Sequence, residues 1–260
     1  DNLAWIAGGR ITSWETEGQS YGEDKAAAEH GKVTPYTGVV YDINANYAVY
    51  ASYAGIFAPQ NKSDSSGERL KPVTGDSYET GVKGEFFDKK LNTTVALFKT
   101  KQDNMAEQAG TSGGKAYYTA VNGIRSQGYE FDIAGQIRDD LEASGGFTHV
   151  DIDNSDGSAA KTYTPRDTFK LAGTYRMNKW KAGAGISWQS DIYSTESGFK
   201  VTQDSYALLN LMAGYDFTRN LSASLNVYNV TNEKYINSLY WSQGYYGAPR
   251  NAMLSVSWKL

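Results

Sequence analysis

Two histidines, His30 and His149, are the whole imidazole complement of this 260-residue chain, and it has no cysteine. General acid–base or nucleophilic catalysis built on imidazole therefore has at most two places to stand. Neither lies in a Ser-His-Asp or Cys-His pattern, and no metal-ligand spacing or phosphate loop is present. His149 closes the strand-like "GGFTHVDID" and reads as a rim histidine. "DIDNSDG", residues 151–157, has the oxygen-rich look of a calcium loop but lacks the glutamate at its twelfth position. The glycines of "GRITSW" and similar runs fall inside alternating segments, where they are strand glycines and not a nucleotide cradle. A lysine- or serine-based site stays open on sequence alone. What the chain has in quantity is aromatic: 20 Tyr, 9 Phe and 6 Trp, against 5 Pro.

The elements that carry these residues alternate at period two. In "NLSASLNVYNV" Leu221, Ala223, Leu225 and Val227 share one face, and Ser222, Ser224, Asn226 and Tyr228 the other. That period is a strand's, since successive side chains point to opposite sides of the pleat. "YETGVKGEFF", "YEFDIAGQI", "FKLAGTYRM", "WKAGAGISW" and "YALLNLMAGYDF" repeat it, and about a dozen such segments are counted. "GEDKAAAEHG", residues 22–31, is expected to form one or two helical turns in a loop. The connections alternate as well. "DINAN", "FDKKL", "RDD", "NK" and "TRN" read as tight turns, while "APQNKSDSSGERLKPVTGD", "MAEQAGTSGGK", "DNSDGSAAKTYTP", "DIYSTESGFKVTQD" and the stretch after Val230 are long and polar.

Alternation leaves open which face is wet. The polar faces carry Glu79, Lys83, Glu85, Glu130, Asp132, Lys170, Arg176 and Asp216. Burying those charges in a sandwich core would cost several kcal/mol each unless they were paired. A water-filled or plugged lumen imposes no such cost. On the apolar faces, aromatics gather near the ends. Tyr41, Tyr47, Phe86, Trp180, Phe217 and Trp258 lie near the short turns, and Tyr53, Tyr78, Tyr129, Phe147, Trp188 and Tyr206 near the long loops. Two belts around a plain apolar band are what a membrane interface selects; the bland alternative is ordinary β-propensity on a soluble sheet. The expected fold is thus all-β, an antiparallel transmembrane barrel with lipid outside and water within. Nothing basic enough to suggest nucleic acid appears, the net charge being −4.

"YASYAGIFAPQN", "LKPVTGDSYETGVKGEFFDKKLNTTVALFKTKQDN", "GYEFDIAGQI", "SASLNVYNVTNEKY" and "YGAPRNAMLSVSWKL" together resemble the C-terminal half of a TonB-dependent ferric-siderophore receptor, of the pyoverdine and coprogen receptor group. The resemblance runs over essentially the whole chain, though the family commonly ends on an aromatic and this sequence ends on Leu260. It implies a barrel of about 22 strands around a plug, of which residues 1–260 would supply about the last twelve strands, without plug, coupling box or first strands. A fragment is therefore expected, or a barrel completed by strands from elsewhere. The alternative is a complete 12-stranded barrel acting as porin, adhesin or barrel enzyme; pairing of the first strand with the last would separate the two. The family further implies a Gram-negative outer-membrane location, transport without enzymatic activity, and an inner-membrane TonB complex acting through the plug. Iron would arrive already wrapped as a ferric siderophore, so no protein cofactor or metal ligand is implied. An aromatic pocket on the long loops would receive it: Tyr240, Trp241, Tyr245 and Tyr246 of "LYWSQGYY", with Tyr193 and Trp14 behind them.

Overall fold

The computed structural model describes residues 2–20, 23–24, 26–196, 198–240 and 244–259. In chain order its strands are β1 (Leu3–Thr16), β2 (Gln19–Ser20), β3 (Glu23–Asp24), β4 (Ala27–Asp42), β5 (Tyr47–Ala58), β6 (Val73–Phe86), β7 (Leu91–Asp103), β8 (Met105–Ser112), β9 (Lys115–Val121) and β10 (Ile124–Arg138). They continue as β11 (Leu141–Asp153), β12 (Asp167–Met177), β13 (Trp180–Gln189), β14 (Ile192–Glu196), β15 (Phe199–Gln203), β16 (Tyr206–Asp216), β17 (Leu221–Tyr228), β18 (Ile236–Ser238), β19 (Tyr245–Tyr246) and β20 (Asn251–Trp258). Twelve form one antiparallel meander in the order β1-β4-β5-β6-β7-β10-β11-β12-β13-β16-β17-β20. The other eight make four two-stranded hairpins inside the long loops: β2–β3, β8–β9, β14–β15 and β18–β19.

Register carries the apolar face across the whole sheet. Val256 stands opposite Ala223 and Ala223 opposite Tyr215. Tyr215 meets Trp180, Ala182 meets Tyr175, and Tyr175 meets Leu141. Farther along, Phe147 pairs with Phe131, Phe131 with Val95, Val95 with Val82, Val82 with Val49, and Val49 with Tyr41. A one-residue slip within a ladder would flip the rest of the set to the other side; the registers shift only near strand ends, between Thr12 and Trp14 in the β1–β4 ladder and between Gln136 and Arg138 in the β10–β11 ladder, outside these pairs. Among the described residues no element packs against this face. Leu225 is 44 % exposed, Leu211 43 % and Ile186 39 %. Burying each such side chain is worth about 1.5–3 kcal/mol, so a wall of them left in water would not persist; hydrocarbon is the solvent that suits it.

The aromatic belts are present as packed pairs on that face. Tyr47–Phe86 at 5.6 Å and Trp180–Tyr215 at 4.6 Å mark the short-turn side. Tyr53–Tyr78 at 5.2 Å and Tyr129–Phe147 at 6.0 Å mark the loop side. Tyr206 departs from this expectation. It pairs with Gln189 beside the Trp188–Ala207 pair, which places it on the polar face. One position of strand parity decides the side, and its hydroxyl donates to Gln189 Oε1 at 3.1 Å.

The opposite face carries the charges. Lys83 and Asp132 both stand opposite Thr94, and Asp132 stands opposite Gly146, which stands opposite Lys170. The Tyr50 hydroxyl donates to Glu79 Oε1 at 2.5 Å, and Lys181 Nζ lies 3.3 Å from Asp216. At Gly81 a Cβ would strike the Tyr50 ring, so glycine leaves the ring room to reach Glu79.

Five connections are tight: residues 43–46, 87–90, 139–140, 178–179 and 217–220. Asn44 Oδ1 accepts from the N–H groups of Asn46 and Tyr47, and Thr218 Oγ1 accepts from those of Asn220 and Leu221. Such side-chain acceptors close turns without further structure. The helical turns expected within residues 22–31 are not formed where the chain is described. β4 already begins at Ala27, paired to Thr16, and the ladder's hydrogen bonds override the helix preference of the alanines; Gly22 and Lys25 lie outside the described residues. Among the described residues no ladder joins β1 to β20, and both flank the sheet as edges. Trp5 on one and Trp258 on the other are 76 % and 71 % exposed.

Candidate functional site

The long loops fold on one another above the polar face. Asn229 anchors the loop between β17 and β20. Its backbone N–H donates to Asn210 Oδ1 at 2.9 Å, its amide donates to the carbonyls of Glu233 and Ala248, and its Oδ1 accepts from the Glu233 N–H. It is almost fully buried, so each of these bonds replaces water that has been excluded. Tyr235 and Leu239 of the same loop are buried. Tyr235 stacks on Tyr206 at 4.4 Å, and its ring fills the space a side chain at residue 247 would need, so Gly247 sits flat against it.

The loop between β11 and β12 joins from the side. Arg166 spans it, donating from Nη2 to the carbonyls of Ile152 and Ala160. Ala160 and Ile192 are buried there, and the Tyr193 N–H donates to the Thr162 carbonyl. Gln203 Oε1 accepts from the Ile236 N–H, which ties the β14–β15 hairpin to the β17–β20 loop. A mouth walled by three interlocked segments results.

Its aromatic lining is partly the expected one. Tyr240 is half-exposed, with its ring 5.1 Å from that of Tyr163. Burial, and behind it Tyr240 and Glu107, raises the Tyr163 phenol above its ordinary value. Tyr245 and Tyr246 form β19 and stand largely exposed, with Lys234 Nζ 5.0 Å from the Tyr246 ring. Tyr193 lies on β14 under Lys200 Nζ, 4.0 Å from its ring centre. Cations over aromatic faces add roughly 0.5–1 kcal/mol at exposed sites. Trp241 lies outside the described residues. Trp14 stands on β1 opposite Glu29, on the far edge of the sheet from the Tyr163–Tyr240 pair, and is not gathered with the others. Tyr163 and Tyr235 carry no signal in the sequence, and Tyr206 reads there as a belt aromatic near the long loops. Only the parity of Tyr206 in "YALLNLMAGYDF" pointed inward; the other two join through contacts between distant loops.

The imidazole and the calcium-like loop have other partners. His149 Nδ1 lies 2.7 Å from Asp167 and Nε2 3.6 Å from Asp151, and the ring stacks on Tyr129 at 5.1 Å. It stands on the apolar face, away from the mouth. Asp156 accepts from the Ser158 hydroxyl at 2.6 Å and from its N–H at 2.9 Å, which holds its carboxyl below the usual aspartate value. Asp64 is held low in the same way by Ser66. Both carboxylates are engaged in shaping their own loop tips. Among the described residues no group of three or more His, Cys, Asp or Glu side chains converges to hold a metal ion.

Comparison with known proteins agrees with this architecture. The family model described as TonB dependent receptor-like, beta-barrel matches residues 1–230. The ferric-pyoverdine 358 receptor of Pseudomonas putida is 36% identical over 271 residues, 98% of this chain and 33% of its own length. The ferripyoverdine receptor of Pseudomonas aeruginosa is 35% identical over 277 residues, covering 99% of this chain and 34% of its own length. The solved pyoverdine outer membrane receptor FpvA from Pseudomonas aeruginosa PAO1, bound to pyoverdine, superposes with a TM-score of 0.88 at 34% identity, over 100% of this chain and 40% of that one. The alcaligin outer membrane receptor FauA from Bordetella pertussis superposes with a TM-score of 0.73 at 33% identity, over 99% of this chain and 42% of that one. The chain spans about a third of the length of the curated relatives it matches.

Proposed function

The chain belongs to the TonB-dependent receptor β-barrel family, and we propose that it is wall and mouth of an outer-membrane receptor that takes up a ferric siderophore of the pyoverdine class. The observation that carries the reading is the combination of an apolar face unbroken across twelve strands with aromatic loops gathered over the polar one. Lipid meets the first surface. A bulky chelate, its iron already enclosed by its own oxygens, meets the second.

The chemistry asked of the protein is recognition, not bond-making. Tyr240, Tyr245, Tyr246 and Tyr193 offer flat apolar surface with hydroxyl tips, and Lys200 and Lys234 offer positive charge beside the rings. Such pockets fix orientation with few polar groups. Trp241 extends the proposed set by its place in the sequence, while Trp14, on the far edge of the sheet, stands apart from it. No residue serves as cofactor ligand in this account, and the family is one of receptors, not enzymes. Release into the periplasm would be driven by the inner-membrane TonB complex acting on a plug. The location that follows is the outer membrane of a Gram-negative bacterium.

Equilibrium binding of ferric pyoverdine to the full-length protein in detergent, followed by quenching of tyrosine and tryptophan emission, tests this. Micromolar or tighter binding that weakens at least tenfold on changing Tyr240 and Tyr246 together to Ala is expected. No binding of any ferric siderophore at that level would reject the function.

A further inference from the structure

Arg166 precedes β12, and its backbone is fixed to the wall of strands. The Val150 N–H donates to its carbonyl at 2.8 Å, and its own N–H donates to Ser190 Oγ at 3.1 Å. The next residue, Asp167, stands opposite His149 on the apolar face, so Arg166 takes the polar side, toward the mouth. From there Nη2 donates to the carbonyls of both Ile152 and Ala160. Ile152 also accepts the Ala160 N–H at 2.8 Å, and Ala160 is buried. The guanidinium thus grips both sides of the stem of the β11–β12 loop. Tyr163 lies between two fixed points, three residues after Ala160 and three before Arg166. Within that span the Thr164 N–H donates to the Lys161 carbonyl at 2.9 Å, and the Thr162 carbonyl accepts from the Tyr193 N–H at 3.0 Å. The turn so formed presents the Tyr163 ring to that of Tyr240 at 5.1 Å.

This cation is held in an unusual way. Among the described residues its Nη1 is buried without a hydrogen-bond partner, and Arg166 forms no ion pair. A buried charge held by main-chain carbonyls alone costs stability, and a buried donor left unspent asks for a reason. The Tyr163–Tyr240 contact supplies one. The two rings come from different loops, so they meet only if each loop is held in place. Asn229 holds the loop that carries Tyr240. We propose that Arg166 is the positioning residue on the other side: by tying Ala160 to the wall it keeps the Tyr163 ring against Tyr240, and so sets the affinity of the mouth for the chelate without touching it. The proposal rests on the receptor reading for its ligand and not for its geometry.

Two measurements on the intact protein in detergent test it, each on variants whose heat-modifiable gel mobility shows a folded barrel. The first is ferric pyoverdine binding in a double-mutant cycle. Arg166→Ala and Tyr163→Ala should each weaken binding at least fivefold, and the double variant no more than twofold beyond Tyr163→Ala alone. Losses that multiply would overturn the proposal, since Arg166 would then act by itself. Arg166→Lys keeps the charge and loses the planar fork; it should weaken binding at least threefold, and it carries the test where Arg166→Ala does not fold. Wild-type affinity in Arg166→Lys would assign the role to charge and overturn positioning. The second measurement needs no chelate. In a Tyr163→Cys/Tyr240→Cys variant the two thiols are joined by a short bismaleimide, and the yield should fall at least threefold on adding Arg166→Lys. An unchanged yield would overturn the proposal. The two readings fail separately: no chelate bound by the wild-type protein, with the crosslink still dependent on Arg166, removes the receptor function alone, and chelate bound equally by wild type and every Arg166 variant removes the positioning role alone.

Discussion

Exchanging Leu211 for lysine places a charge at the middle of the apolar face. Leu211 lies opposite Ala184 on one side and Val227 on the other, with Tyr215 toward the short turns and Trp188 toward the loops. From Trp180 to Trp188 the strand spans about 26 Å at ~3.3 Å per residue, which a tilt of ~45° reduces to about 19 Å across the bilayer. Leu211 is therefore near the midplane, where a lysine on the lipid face costs about 2–4 kcal/mol. That is roughly a 30- to 700-fold loss in the folding equilibrium at 1.4 kcal/mol per decade. Met212→Lys, one residue on, points to the polar face beside Asn226 and should cost less than ~1 kcal/mol. Guanidinium titration of the intact protein reconstituted in phosphatidylcholine vesicles, read by tryptophan emission and gel mobility, measures both. Equal costs, or a larger cost at Met212, would refute the assignment of lipid to the Leu211 side.

Asn229→Ala leaves the N–H of Glu233 and the carbonyls of Glu233 and Ala248 without partners in a buried site, a loss of about 1–3 kcal/mol; limited proteolysis should cut the 230–250 loop sooner, with the barrel fragment still intact. The loop tips should respond to acid. The Asp64 and Asp156 carboxyls are lowered by hydrogen bonds from Ser66 and Ser158, so the order they confer is full above the ordinary aspartate value near ~3.9 and fades as pH falls through the lowered one. Amide exchange at Ser158 measured from pH 5 downward should show protection lost below that range, and Asp156→Asn should remove most of the pH dependence. No dependence in the wild-type chain would contradict it.

What the sequence made legible was parity. Leu221, Ala223, Leu225 and Val227 announce their common face from spacing alone, and each strand does so independently. The sum of those local statements is the continuous sheet, because each ladder must keep apolar opposite apolar. Parity also held the correct answer for Tyr206, which proximity to a long loop obscured. Ala27 and Ala28 show the reverse failure: their helix preference is a fraction of a kcal/mol per residue, and pairing to β1 outweighs it. The mouth was only half legible. Tyr240, Tyr245 and Tyr246 stand together in sequence, but Tyr163 reaches Tyr240 and Tyr235 reaches Tyr206 through loop conformations that no periodicity encodes. Nor does spacing show that Asn229, an ordinary turn residue by type, is the buried clamp of its loop.

The account depends on acyl chains touching the side of the sheet that carries Trp5, Trp180, Trp188 and Trp258. Emission of the intact protein in vesicles whose phospholipids bear bromine midway along the acyl chain measures this directly, with aqueous acrylamide as the complementary quencher. The account predicts strong quenching by the brominated lipid and weak quenching by acrylamide, with the lipid effect reduced in the Trp180→Phe/Trp188→Phe variant. Emission indifferent to bromine, yet open to acrylamide, would contradict it.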